Sequence, residues 1–215
     1  MARPKVPLIS RRTTLETALR IIDEEGLDEL SIRRLARELN VNGASLYHHF
    51  RNKDEILLGT ALLALEDART PETPDVDWQE WFINTSRIYR QALLDHPALV
   101  AVIFRQHPHR IALGFYDATV RMLIDNGVPR PSIIPLIESV ESFTLGSVLY
   151  ATAGRAADDD VDDVDDSFQA LGEARRRASS HVDDDQLWET VVRAIVDAVL
   201  EVRPPKRPAL RRSRS

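Results

Sequence analysis

The stretch Ser31–Lys53, SIRRLARELNVNGASLYHHFRNK, decides the fold. Ile32, Leu35, Ala36 and Leu39 fall at i, i+3, i+4 and i+7, the apolar face of a short helix. Ser31 is a favourable N-cap for it. Asn40-Val41-Asn42-Gly43 then interrupts the pattern with turn-forming residues. A second short helix is predicted from Ala44 to about Phe50, with Leu46 and Phe50 pointing inward. Ser45, Tyr47, His48 and His49 occupy its other face. Two short helices joined by a tight turn form a helix-turn-helix, and these short or flat hydrogen-bonding side chains suit base edges and phosphates in a major groove. Arg33, Arg34 and Arg37 are expected on the exposed side of the first helix. Asn52-Lys53-Asp54 opens the next helix, where Lys53 can meet a phosphate at a positively polarised helix start. The candidate DNA-contacting set is therefore Ser31, Arg33, Gly43, Ala44, Ser45, Tyr47, His48, His49 and Lys53.

Upstream, Ser10 to Glu25 reads as a helix with Leu15, Ala18, Leu19 and Ile22 turned inward and Gly26 as its stop. Residues 1–9 form a basic, Pro-containing arm. It is either a disordered terminus or an arm that adds DNA contacts through Arg3 and Lys5. Downstream, a helix is predicted from Asp54 to about Arg69. Ile56, Leu57, Leu63 and Leu65 make it apolar on more than one side, as expected of a connector that packs on two bodies. Thr70-Pro71-Glu72-Thr73-Pro74 marks a boundary. The expected units are the arm, a head at residues 10–69, a body at residues 75–203 and a basic tail at residues 204–215.

The body reads as all helix. Helices are expected from about Trp78 to Leu94, from Pro97 to Phe104, and from His109 to Asn126 with Gly127 as the stop. Two more run from a Ser132 cap to Ala153, with Pro135 in the first turn, and from Asp185 to about Val202. A weaker pattern covers Ser167–Ser180. Phe143, Gly146, Ser147 and Tyr150 share one helical spacing. So do Leu187, Val191, Ile195, Val199 and Val202. These stripes serve either the body's own core or a four-helix contact with a second chain.

Composition excludes several classes. The chain of 215 residues has no cysteine, so neither a disulfide framework nor a thiolate metal site is available. No signal peptide is expected, no unbroken apolar run reaches membrane-spanning length, and a cytoplasmic location without membrane partners follows as the expectation. The formal net charge is −6, which alone argues against DNA. Its distribution reverses that: residues 1–53 and the tail are net basic, and residues 54–203 are strongly acidic. No catalytic triad, Walker loop or dinucleotide fingerprint is present, so neither an enzyme nor a cofactor is expected. His48-His49 point about 100° apart on a helix and suit no shared ion. His96 with His107-Pro108-His109 forms either a metal cluster or a set of loop histidines at a pocket mouth. Asp158–Asp166 lacks the glycine and closing glutamate of a calcium loop and reads as solvated.

The block LSIRRLARELNVNGASLYHHFRNKDEILL resembles the N-terminal domain of tetracycline-repressor-like transcriptional regulators. Ala92-Leu93-Leu94-Asp95-His96, the Asn126-Gly127 helix end and Ser142–Leu149 extend that resemblance into the body. It implies an all-α chain: a helix-turn-helix head, a larger helical ligand-binding and dimerisation domain, and a homodimer that binds a palindromic operator on double-stranded DNA. The dimer contact would use Phe143, Tyr150, Leu187, Val191, Ile195 and Val199. The family's drug pocket falls on Arg69, Thr85, Tyr89, Ile103, Pro108, Thr119 and Ser142. Two positions depart from it. The family's metal-ligating histidine falls at Ile103, and its second acidic residue at Tyr150. An alkyl chain ligates no magnesium, so no metal is expected and a more apolar effector is, with Met122 and Val102 beside Ile103 and Tyr89. The expectation is an effector-released repressor. An activator of the same fold, or a helical ligand-binding protein or enzyme without DNA binding, are the alternatives.

Overall fold

The computed structural model describes residues 9–66, 77–106, 113–157, 168–178 and 183–201. Every regular element among them is helical. Helix α1 spans Arg11–Glu25. The Ser10 hydroxyl accepts from the Thr13 amide at 3.0 Å, and Gly26 ends the helix at φ 98°. Its fully buried stripe is Thr14, Ala18, Ile21 and Ile22, with the expected Leu15 and Leu19 only half-buried beside it. Thr14 tolerates burial because its hydroxyl donates to the Ser10 carbonyl at 2.8 Å.

Helix α2, Ile32–Glu38, starts on Ser31 as expected. It ends in a Schellman turn: the Asn40 amide reaches the Arg37 carbonyl and the Val41 amide the Ala36 carbonyl. Asn40 supplies the left-handed residue, with φ 53°, a conformation asparagine tolerates better than most. Helix α3 covers only Gly43–Leu46, capped by Asn42. The prediction of a helix to Phe50 is corrected here. The His49 amide bonds the Leu46 carbonyl in an i→i+3 closure, the Phe50 amide bonds the same carbonyl, and the chain runs in turns over Tyr47–His49. Helix α4, Lys53–Ala64, is capped by Asn52. It crosses α1 at Gly59, where an added Cβ would lie 2.8 Å from Leu15 Cδ2.

Further helices build the body: α5 Trp78–Asp95, α6 Ala98–Gln106, α7 Leu113–Asp125, α8 Arg130–Ala157, α9 Gln169–Ala178 and α10 Asp184–Glu201. Asp77 caps α5, and Asp183 accepts from the Asp185 amide at the start of α10. A second Schellman turn closes α7, with Gly127 at φ 82°. Helix α8 begins at Arg130, so Ser132 lies inside its first turn instead of capping it, and Pro135 falls past that turn. Its segment Arg130–Ala153 holds an 18-residue window of mean hydropathy 1.3, long and apolar enough to cross a membrane by length and composition alone; 44% of that window is buried inside this protein. The buried residues of α8 face α5, α7 and α10, while Ile134, Leu149 and Tyr150 stay exposed.

Two cores result. The first joins Ala18, Leu35, Leu46, Phe50 and Ile56 of the head to Leu93, Leu99, Val100, Ile103, Leu145 and Val148. It runs without a break from the helix-turn-helix through α4 into α6. The second gathers Trp81, Phe82, Leu123, Ile133, Leu136, Trp188, Val192 and Val196. Asp23 of α1 and His96 at the end of α5 pair at 3.0 Å across the joint.

Candidate functional site

The helix-turn-helix presents its outer face through α2, the one-turn α3 and the turns that follow. Leu46 and Phe50 are buried as predicted. Tyr47 is 56% exposed. Ser31, Arg33, Ala44 and His48 are also exposed; Gly43, Ser45, His49 and Lys53 are half-buried. Lys53 opens α4 beside the Asn52 cap. The chain thus brings all nine predicted residues onto α2 and its cap, α3, the turns after it and the first residue of α4.

The arginines of this head fall into two groups. Arg33 and Arg37 are exposed and form no ion pair among the described residues. Arg34, expected with them on the open face, belongs to the other group. It binds Glu25 through Nε at 3.1 Å and Glu38 at 2.6 Å, and Arg20 meets Glu38 at 2.6 Å. Hydrogen bonds from Arg34 and then Arg20 hold the Glu38 carboxyl down at about 2. Glu25 and then Glu38 push the Arg34 guanidinium further up. Arg34 therefore ties α1 to α2 and is not available to a phosphate. Arg11, which sequence reasoning passed over, donates to the His49 carbonyl and to Glu55 (3.0 Å), and lies 4.3 Å from the centre of the Phe50 ring.

In the body, Ile103 is buried in the first core, and Tyr89 packs against the same core. Thr85 is buried with its hydroxyl bonded to the Trp81 carbonyl at 2.8 Å. Thr119 is 4% exposed, and its hydroxyl has no hydrogen-bond partner among the described residues. Tyr116, one helical turn before Thr119, donates to Glu141. Burial, and then the charge of Glu141, push the Tyr89 and Tyr116 phenols up. Met122 packs against the second core. Arg69 and Pro108 lie outside the described residues, as do His107, His109, Asp158–Asp166, Arg3 and Lys5. Ser142 is exposed and lines an outward groove of about 440 Å³ with Arg90, Phe143, Gly146, Tyr150 and Leu187. Arg90, itself buried, pairs with Asp185 there and stacks on Trp188. Tyr150 is 84% exposed and Leu187 half so. Val191, Ile195 and Val199 are half-buried, while the fully buried stripe of α10 is Trp188, Val192 and Val196.

The model of bacterial regulatory proteins of the tetR family matches residues 15–60, and that of the tetracyclin repressor-like C-terminal domain matches residues 70–190. The chain belongs to the TetR family. It is 33% identical over 144 residues to the tetracycline repressor protein class A from transposon 1721 of Escherichia coli, 66% of this chain and 67% of that protein. The apo structure of ActR from Streptomyces coelicolor superposes with a TM-score of 0.74 at 27% identity, over 93% of this chain and 96% of that one. ActR has also been solved with actinorhodin, at 27% identity and a TM-score of 0.73, over 89% of this chain and 97% of that one. This chain is accordingly an all-α TetR-family transcriptional regulator with a helix-turn-helix N-terminal domain and a helical C-terminal domain.

Within this TetR-family chain, sequence reasoning missed Tyr116, Glu141 and Arg11. Tyr116 was within reach, since it shares a face of α7 with the singled-out Thr119. Glu141 adjoins the mapped Ser142 but lies on another side of α8, where it is half-buried. Among the described residues, no group of three or more His, Asp or Glu side chains is placed to hold a metal.

Proposed function

We propose that this TetR-family regulator is a repressor that binds a palindromic operator as a homodimer and is released by a small, fairly apolar effector in the cytoplasm. The observation that carries the DNA half is the contrast among the head arginines. Arg20 and Arg34 are neutralised by glutamates, while Arg33 and Arg37 are exposed and unpaired among the described residues, and Tyr47 and His48 are exposed as well. Tyr47, His48, His49 and Ser45 supply contacts to base edges and phosphates. Arg33 reaches a base or phosphate at the start of α2, with Ser31, Gly43 and Ala44 at the two helix starts letting the duplex approach. Lys53 takes a phosphate.

The dimer reading rests on α8 and α10. Phe143, Tyr150 and Leu187 leave an apolar strip open, and Val191, Ile195 and Val199 lie alongside it. A second copy that covers this strip forms a four-helix contact and sets two heads on successive half-sites. The effector reading rests on Tyr89, Ile103, Thr85, Thr119 and Met122, with Arg69 and Pro108 as further members. Ile103 offers no metal ligand, so a metal-free effector fits. An effector that binds one pose of α6 better than another shifts the head spacing, because α6, α4 and the head share a core. The relatives that are tetracycline repressors, and the ActR structure with actinorhodin, support this assignment. The proposed units remain residues 10–69 and 75–203.

The test is fluorescence anisotropy on a palindromic duplex recovered by selection from random-sequence DNA, followed by a compound panel that includes tetracycline with and without magnesium. Release by an apolar compound without metal is expected. Release only by tetracycline with magnesium contradicts the placement of Ile103 and the metal-free effector. Selection of no sequence contradicts the regulator reading as a whole.

A further inference from the structure

Past α3 the chain closes on a single carbonyl: the His49 and Phe50 amides both bond that of Leu46, each at 3.0 Å. Helix α3 is one turn long, and Tyr47–His49 lie in turns. Side chains that read bases must hold their direction closely, and a turn does not by itself provide that. Something outside the segment has to fix it. Phe50, buried to 2% exposure, anchors its end from below. Arg11, at the first residue of α1, meets it from the side. Its guanidinium donates to the His49 carbonyl, lies 4.3 Å from the Phe50 ring centre and bonds Glu55 at 3.0 Å. The other Glu55 oxygen accepts the Arg51 amide at 2.7 Å, and the Asn52 cap accepts the Glu55 amide at 2.9 Å. The turn from Tyr47 to Asn52 is thus tied to α1 on one side and to α4 on the other. Arginine suits this position because its planar fork donates in two directions while its face stacks on a ring; lysine offers no such fork or face.

We propose that Arg11, held by Glu55, is a positioning residue for sequence recognition: it clamps the carbonyl of His49 and the ring of Phe50 so that Tyr47, His48 and His49 face the bases in one orientation. This rests on the reading of that segment as the part that meets DNA. Arg11 makes no base contact in this role. Its effect is on discrimination between sequences and not on general attraction to the duplex. The competing account is that Arg11 is one more phosphate-binding cation.

The test uses the full chain and the duplex selected by the wild type from a random-sequence library, with a scrambled duplex as reference. For each protein the ratio of the two affinities is measured across a salt series, and a melting curve checks folding. Under the clamp, Arg11→Lys lowers the ratio by about tenfold, the scale of one well-placed base contact. The salt slope on the scrambled duplex stays the same. Glu55→Gln lowers the ratio in the same direction, because it loosens Arg11. The phosphate account gives opposite signs. Arg11→Gln would flatten the salt slope by about 0.9 with the ratio intact, and Glu55→Gln, by removing a negative charge, would strengthen binding to both duplexes equally. Either of those results overturns the clamp, as does an unchanged ratio in a folded Arg11→Lys protein. A wild type that selects no sequence overturns the DNA reading and the clamp together. A selective wild type with an unaffected variant overturns the clamp alone.

Discussion

The two cores of this chain differ in what they connect. The first spans the joint: it begins at Ala18 and Ile21 of α1, passes through Ile56 and Ala61 of α4 and continues to Leu99 and Ile103 of α6. The second stays inside the body, between the first half of α5, α7, the first half of α8 and α10. Helices α5 and α8 run through both. The first core therefore carries packing directly from the head helices to those of the body. Leu99 and Ile103 of α6 share the first core with the head, whereas Leu123 of α7 belongs to the second.

That difference makes the largest expected effect a matched pair. Leu99 and Leu123 are both fully buried, one in each core. Leu99→Ala and Leu123→Ala should each cost about 2–5 kcal/mol of stability, read from urea unfolding. Only Leu99→Ala should also change the affinity of the folded protein for the selected duplex, because only its cavity lets α6 and α4 move against each other. Equal changes in DNA affinity from both variants would erase the distinction between the cores.

The next effect lies at the outer end of the first core, where Leu46 and Phe50 hold the reading segment. His48→Ala should relax sequence preference by about 1–3 kcal/mol at the positions it reads. Lys53→Ala should weaken binding to every duplex and flatten the salt slope by about 0.9. Anisotropy titrations on selected and scrambled duplexes separate the two. A His48→Ala protein with intact preference would move the reading role to Tyr47 and Ser45.

The legibility of these regions in the sequence follows the same division. The head is readable because its signals are local. Ser10, Ser31 and Asn52 cap where their side chains say they should, and the apolar residues repeat at helical spacing. What could not be read there spans longer distances. Arg34 is taken out of the exposed set by Glu25, nine residues away, and Arg11 reaches His49 across thirty-eight. In the body the difficulty is different. Leu187, Val191, Ile195 and Val199 repeat every four residues, and so do Trp188, Val192 and Val196. Periodicity cannot choose between two apolar stripes side by side; packing buries the second and leaves the first half-covered. Ser142 enters only through the family resemblance, and no periodicity in α8 bears on its exposure.

A smaller effect tests the joint itself. Asp23 and His96 meet at 3.0 Å across it, each with about a quarter to a third of its side chain exposed. Such a pair is worth at most about 1 kcal/mol. A double-mutant cycle of Asp23→Asn and His96→Gln, scored on DNA affinity, should give a coupling within that bound. A coupling several times larger would mean that the ion pair, and not the shared core, carries the link between body and head.

The smallest effect concerns the seam between α1 and α2, which polar contacts reinforce beside the apolar core. Arg34 and Arg20 hold the Glu38 carboxyl at about 2, against 4.5 for the free group. A carboxyl whose folded value is depressed stabilises the fold above its unfolded value and loses that contribution as pH falls through the folded one. The seam should therefore be at full strength above about pH 4.5 and weaken progressively toward pH 2. Glu38 is exposed to solvent, so the loss is modest and shrinks further in high salt. Glu38→Gln should remove part of the acid dependence of the melting temperature while leaving the melting temperature at neutral pH slightly lower. Glu80 of α5, held down by Arg193 of α10, is the matching group in the body. Glu80→Gln should act on the same acid limb but leave the DNA-binding head untouched, whereas Glu38→Gln should lower DNA affinity as well, since α2 carries Arg33. If both variants change DNA affinity alike, the seam contributes nothing that the two cores do not already provide.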